Sequence, residues 1–164
     1  MLSILLFIGC QNVNDYSNGG SQALSALRTP YVGDAPAVSR IIQVLPLPHE
    51  DWLQRFFEME TSIAPYSLTV FYELASLSTM QSQDKPAEAF EVNALLLFAL
   101  IDNLSEITFA VRYTPDLGYS SDYNYSWTIS RNEIAELFGV SSWGDLFVNI
   151  AYFEDLLEVI LARS

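Results

Sequence analysis

Apolar residues recur along this chain with two periods, and the switches between them mark out the elements. Val38, Ile41, Ile42 and Leu45 stand at i, i+3, i+4 and i+7, one face of a helix over residues 35–45. Asp34 is placed to cap it. Pro36 falls in the first turn, where a missing N–H is harmless, and Pro46 and Pro48 stop it. Further on the period is two: Leu68, Val70, Tyr72 and Leu74 alternate with Thr69, Phe71 and Glu73, which predicts a half-buried strand. Residues 51–60, DWLQRFFEME, fit both periods. Trp52, Leu53, Phe56 and Phe57 suit a helix, whereas Leu53, Phe57 and Met59 suit a strand. The strand is preferred because the strand over 68–74 needs a neighbour and TSIAPY is a suitable connection.

The polar stretch SLSTMQSQDKPAEA leads into a second helix, with Pro86 near its start and apolar residues from Phe90 to Leu104. From Ala94 onward it is apolar on all sides, which predicts a buried central helix. Two alternating strands follow. Ile107, Phe109, Val111 and Tyr113 line one face of the first, and Tyr123, Tyr125, Trp127 and Ile129 one face of the second, with the turn-rich TPDLGYSSD between them. Ser130 and Glu133 form a capping box opening a third helix with Ile134, Leu137 and Phe138 as its buried stripe, and Gly139 is a natural stop. Phe153, Leu156, Leu157, Ile160 and Leu161 predict a last helix, and residues 142–149 are a weaker helical segment. The order α-β-β-α-β-β-α-α reads as α+β: an antiparallel sheet of about four strands with helices packed on one face.

A chain of 164 residues is one domain's length, and residues 24–164 are read as a single globular unit. Before it stands LSILLFIGCQN, for which two readings exist. Residues 1–9 are the remnant of a lipoprotein signal, with Phe7-Ile8-Gly9-Cys10 as its box and Cys10 as the lipid attachment site, or they are a buried N-terminal segment. Against the signal, no Lys or Arg precedes the apolar run and the run is short. For it, the polar, Gly-containing residues 10–23 read as a flexible tether. The signal is the preferred reading, and it implies a palmitate-type acyl anchor holding the domain on the outer face of a cell membrane.

Charge narrows the partners. Twenty acidic residues against seven basic ones give a net charge of −13, a surface that repels phosphate backbones, so no nucleic-acid partner is expected. A single cysteine excludes an internal disulfide framework.

No reactive constellation stands out. His49 is the only histidine, which weakens any triad or multi-histidine metal site, and it reads as a loop residue. Ser82-Gln83-Asp84-Lys85 matches the Ser-x-x-Lys nucleophile pattern, but Ser121-Asp122 is followed by Tyr123 rather than Asn and no Lys-Thr-Gly occurs. Glu88 with Glu91, Glu133 with Glu136 and Glu154 with Glu158 sit at helical spacing on solvated faces. Asp116, Asp122 and Asn124 offer oxygen ligands without calcium-loop spacing and read as an ordinary turn. No cofactor or metal is expected. The remaining binding feature is aromatic: Tyr113, Tyr119, Tyr123, Tyr125 and Trp127 crowd around one turn, where they either stack a ligand or fill the core.

Three ordered blocks carry a resemblance: LRTPYVGDAPAVSRIIQVLPLP (27–48), APYSLTVFYE (64–73) and NALLLFALIDNLSEITFAV (93–111). Together they resemble a bacterial domain of unknown function, number 4825. Thr29 to Asp34, then Pro65 and Tyr66, then Leu97 to Asn103 match its pattern, with Arg28 in place of the usual lysine, over roughly residues 24–138. The resemblance implies exported proteins of Gram-positive bacteria, often lipoproteins and sometimes fused to a membrane metallopeptidase. It supplies no catalytic residues. Within the first block Gly33 is expected to allow an unusual φ, Asp34 to cap the helix and Tyr31 to pack on the sheet.

The functional expectation is an extracytoplasmic lipoprotein domain without catalysis, binding or sensing a protein or small ligand in the cell envelope. Tyr31, Asp34, Tyr66, Tyr119, Tyr125 and Trp127 are its candidate binding residues. Alternatives are an envelope hydrolase using Ser82 and Lys85, and an accessory or inhibitory subunit of a membrane peptidase.

Overall fold

The computed structural model describes residues 24–48, 52–74, 85–113, 123 and 125–146. Helix α1 spans Ala35–Gln43, and Asp34 caps it by accepting the Ala37 N–H at 3.1 Å. Strands β1 (Trp52–Glu60) and β2 (Ser67–Leu74) form an antiparallel pair. Helix α2 (Lys85–Leu100) follows, then β3 (Glu106–Tyr113), β4 (Tyr125–Ser130) and α3 (Arg131–Phe138). The expected order therefore holds through its first seven elements, and residues 52–60 take the strand reading. The expected last helix at 153–161, the N-terminal segment and its tether lie outside the described residues. Residues 143–146 form a turn where the start of a short helix was expected.

The sheet has the order β1-β2-β3-β4 and is mixed, not antiparallel: β3 and β4 pair antiparallel, but β2 and β3 run parallel. The reason lies in the connection. Parallel neighbours need a crossover of a dozen or more residues, and α2, sixteen residues long, lies between the two strands. Alternation along β2 and β3 fixes which residues face inward but is silent on strand direction.

Inside, Leu68, Val70, Tyr72 and Leu74 of β2 and Ile107, Phe109 and Val111 of β3 are buried, as their period predicts. Helix α2 covers them. Every residue from Ala94 to Ile101 is buried, and Phe90 lies 4.5 Å from Phe109 in a stacked pair and 5.5 Å from Trp52. A helix apolar all round is stable only when surrounded; here the sheet lies on one side and α1 and α3 add to the same core. The fully buried Asn93 donates its side-chain N–H to the Pro46 carbonyl at 3.0 Å, tying α2 to the chain that leaves α1.

Two expectations about burial fail. Leu53 does not share a face with Phe57 and Met59, because a bulge at Arg55 shifts the β1 register between Gln54 and Phe56. One extra residue reverses which side chains point inward, so Trp52 is buried, Leu53 and Phe56 are exposed, and Phe57 and Met59 pack on the core. In α3, Ile134 is buried and Phe138 packs against the core, but Leu137 is 50% exposed, since an eight-residue helix presents only a narrow stripe to its neighbours.

Candidate functional site

The three sequence blocks meet in space around the C-terminus of α2. Thr29 N–H donates to the Leu100 carbonyl at 2.8 Å, Asp102 N–H donates to the Thr29 carbonyl at 3.1 Å, and the Val32 N–H is held by Asn103 Oδ1 at 2.7 Å. Ser105 N–H reaches the Tyr66 carbonyl at 3.0 Å. Arg28 pairs with Asp102 at 2.7 Å on the surface, a contact worth little by itself. The junction is closed by Arg131, whose guanidinium donates to the carbonyls of Leu104 (2.6 Å), Phe98 (2.8 Å) and Ile101 (2.5 Å). Its Cζ lies 4.8 Å from the centre of the Trp143 ring and 5.3 Å from that of the Phe98 ring. Helix C-termini leave carbonyls unpaired and carry partial negative charge; one planar cation answers both. Loss of hydration lowers its pKa to about 10, so it stays charged at neutral pH.

The binding residues expected in the first two blocks take different places in the fold. Asp34 is a helix cap. Tyr66 packs partly against the core. Tyr31 does not pack on the sheet: it is 64% exposed, because Val32 and not Tyr31 enters the core at this turn. Gly33 has no positive φ; among the described glycines Gly139 alone does, as the αL cap of α3. A Cβ on Gly33 would meet Thr61 Cγ2 at an ordinary 3.7 Å.

The aromatic turn is divided by the sheet. Trp127 faces inward and packs 5.1 Å from Phe90, and Tyr113 and Ile129 pack with it on the core. Tyr125, 42% exposed, stands at the start of the edge strand. Tyr123 precedes β4 and lies on the other face, over β1 and β2. Tyr119 lies outside the described residues, as do Cys10, His49, Ser82, Asp116, Asp122, Asn124, Glu154 and Glu158. Lys85 opens α2. Among the described residues no cluster of His, Cys, Asp and Glu could hold a metal ion, and no helix is long and apolar enough to cross a membrane.

The outer face of the sheet is where exposed chemistry concentrates. Its rows run Glu58-Thr69-Thr108-Thr128 and Phe56-Phe71-Ala110-Ser126, with Glu73 beside Arg112 in the next row. Phe56, 44% exposed, stacks on Phe71 at 4.3 Å, and Tyr123 meets Phe71 edge-on at 4.6 Å. Arg112 lies 5.5 Å over the Tyr123 ring. Glu73 Oε2 accepts from Arg55 at 2.5 Å and from Arg112 at 3.1 Å, and this bond raises the Arg112 pKa. The Tyr123 hydroxyl is buried and bonds to none of the described residues. The bulge at Arg55 builds this patch, since it turns Phe56 and Arg55 outward together. Aromatic faces beside guanidinium and carboxylate groups can stack a planar or apolar ligand while bonding its polar edge. Sequence reading found only Tyr123 of this group. Phe56, Phe71, Glu73, Arg55 and Arg112 come from three strands, and only their cross-strand register makes them neighbours.

Neither the curated proteins nor the solved structures yield a match to this chain. The profile of a domain of unknown function, DUF4825, does match, over residues 24–128, ending within β4 and short of the capping Arg131. That span is well over half of the chain and holds all three blocks that meet at the end of α2, so the protein belongs to the DUF4825 family.

Proposed function

We propose that this protein is a lipid-anchored, extracytoplasmic domain that binds or senses a protein or small ligand in the bacterial cell envelope, without catalysis of its own. The observation that carries the binding reading is the outer-face patch of Phe56, Phe71 and Tyr123 flanked by Arg55, Glu73 and Arg112. Helices on one face bury the core; the other face keeps aromatic rings in contact with solvent, where they contribute little to folding and are available to a partner. The anchoring reading is supported by Phe7-Ile8-Gly9-Cys10 and the polar residues after it.

Two measurements test the two halves. Metabolic labelling with an alkyne fatty acid should mark the wild-type chain and spare Cys10→Ala; equal labelling removes the anchor. A photo-crosslinking side chain at Phe56 should give an envelope adduct that the same group at the exposed Asn132 of α3 does not. Identical adduct patterns from both positions would refute a binding role for the outer face.

A further inference from the structure

The two edges of the sheet are built differently. β1 carries a bulge and the charged Arg55, Glu58 and Glu60, the usual obstacles to a further strand. β4, Tyr-Ser-Trp-Thr-Ile-Ser, has no charge, no proline and an unbroken register, and Tyr125, Ser126 and Thr128 are exposed. The Arg131 N–H donates to the Ser105 carbonyl at 2.9 Å, while the Ser130 N–H turns away to Glu133 Oε2 at 2.7 Å. By antiparallel alternation Tyr125, Trp127 and Ile129 bond to β3, and the N–H and C=O of Ser126 and Thr128 point out of the sheet. No hydrogen bond among the described residues takes them up.

We propose that β4 pairs antiparallel with β4 of a second copy of this chain, joining two four-stranded sheets into one. The capping box has already taken the Ser130 N–H, which rules out a pairing centred on Thr128. A pairing centred on Trp127 uses only the free groups: Ser126 of each copy faces Thr128 of the other and exchanges both backbone bonds, four in all. Trp127 then faces its own counterpart, and Tyr125 faces Ile129. Every apposed pair is uncharged. That selects this edge in a chain of net charge −13, where most other surfaces would set carboxylate against carboxylate. A two-fold contact of this kind closes as a dimer. The rival occupant is a basic extended segment of another protein, and salt separates the two. Screening strengthens association between two like-charged copies and weakens capture of a basic segment.

Sedimentation of the purified chain over a range of concentrations, at about 50 and about 500 mM salt, reads this directly. The expected result is a monomer–dimer equilibrium at least about threefold tighter at high salt. Ser126→Pro removes two of the four bonds and should weaken the dimer at least about tenfold, while far-UV dichroism stays unchanged, because proline is tolerated where the N–H points off a sheet edge. Should that variant not fold, Ser126→Asp, at an exposed position, should leave a monomer by adding two carboxylates to the contact. A monomer at every concentration and salt, a dimer that weakens with salt, or a dimer indifferent to the change at Ser126 would each overturn the proposal.

Discussion

Arg131→Met tests how much of the fold depends on one guanidinium. The substitution keeps an apolar stem over Phe98 and Trp143 but removes the donors to Phe98, Ile101 and Leu104. Hydrogen bonds from a charged group contribute roughly 1.5–3 kcal/mol each when buried. Arg131 is only half-buried, and water can reach some of the released carbonyls, so the three bonds are not additive. A loss of about 3 kcal/mol is the expected sum, at the low end for removing one partner of a buried charged set. For a chain of this length that lowers Tm by roughly 6–12 °C. Arg131→Lys keeps the charge but not the planar fork, and should recover about half of the loss. The charge dependence has a definite sign. Burial depresses the Arg131 pKa to about 10, so desolvation opposes folding while the group is protonated, and that opposition fades only above that pH. The cation that makes the bonds is therefore the dominant form across the neutral range, and the difference between wild type and Arg131→Met should be constant from about pH 5 to 9. Urea unfolding followed by tryptophan fluorescence reports it. A loss below about 0.5 kcal/mol, or a lysine variant no better than methionine, would refute the account of Arg131 as the cap that closes α2.

Three further outcomes follow from the same structure. Glu133 and Glu60 have pKa values lowered by hydrogen bonds from Ser130 and Ser62 respectively, so each contributes stability above the ordinary carboxylate range and loses it as pH falls through the lowered value; Glu133→Gln should flatten the acid limb of a stability–pH profile. Gly139→Ala, at φ 67°, should destabilise by about 1 kcal/mol, whereas Gly33→Ala should be near neutral by the same thermal melt. A double-mutant cycle on Phe56 and Phe71, each to Ala, should give a coupling of roughly 0.5–1.5 kcal/mol for the stacked pair, and coupling near zero would mean that the rings do not pack in solution.

Local rules reached a long way into this fold. Asp34 and Ser130 are caps because short polar side chains answer the free N–H groups of a helix start, and that chemistry is written within four residues. The α2 core is legible because a helix apolar on every side has to be enclosed. The candidate site was nearly illegible for the opposite reason. Phe56 and Phe71 are fifteen positions apart, Arg112 is farther still, and the bulge that turns Phe56 outward leaves no mark in the hydrophobic alternation. The role of Arg131 leaves no sequence signature, because its partners are backbone carbonyls, which have no residue identity to pattern against.

By itself, the sequence determined where the chain turns, the buried faces of α1, α2, β2 and β3, and membership in the DUF4825 family, because periodicity, capping and block order are properties of neighbours along the chain. Tertiary structure decided that β2 and β3 run parallel, that the aromatic turn divides between two faces, and that one arginine closes the central helix. Those depend on strand direction, register and which backbone groups are left without partners, and each is settled only when segments remote in sequence come together.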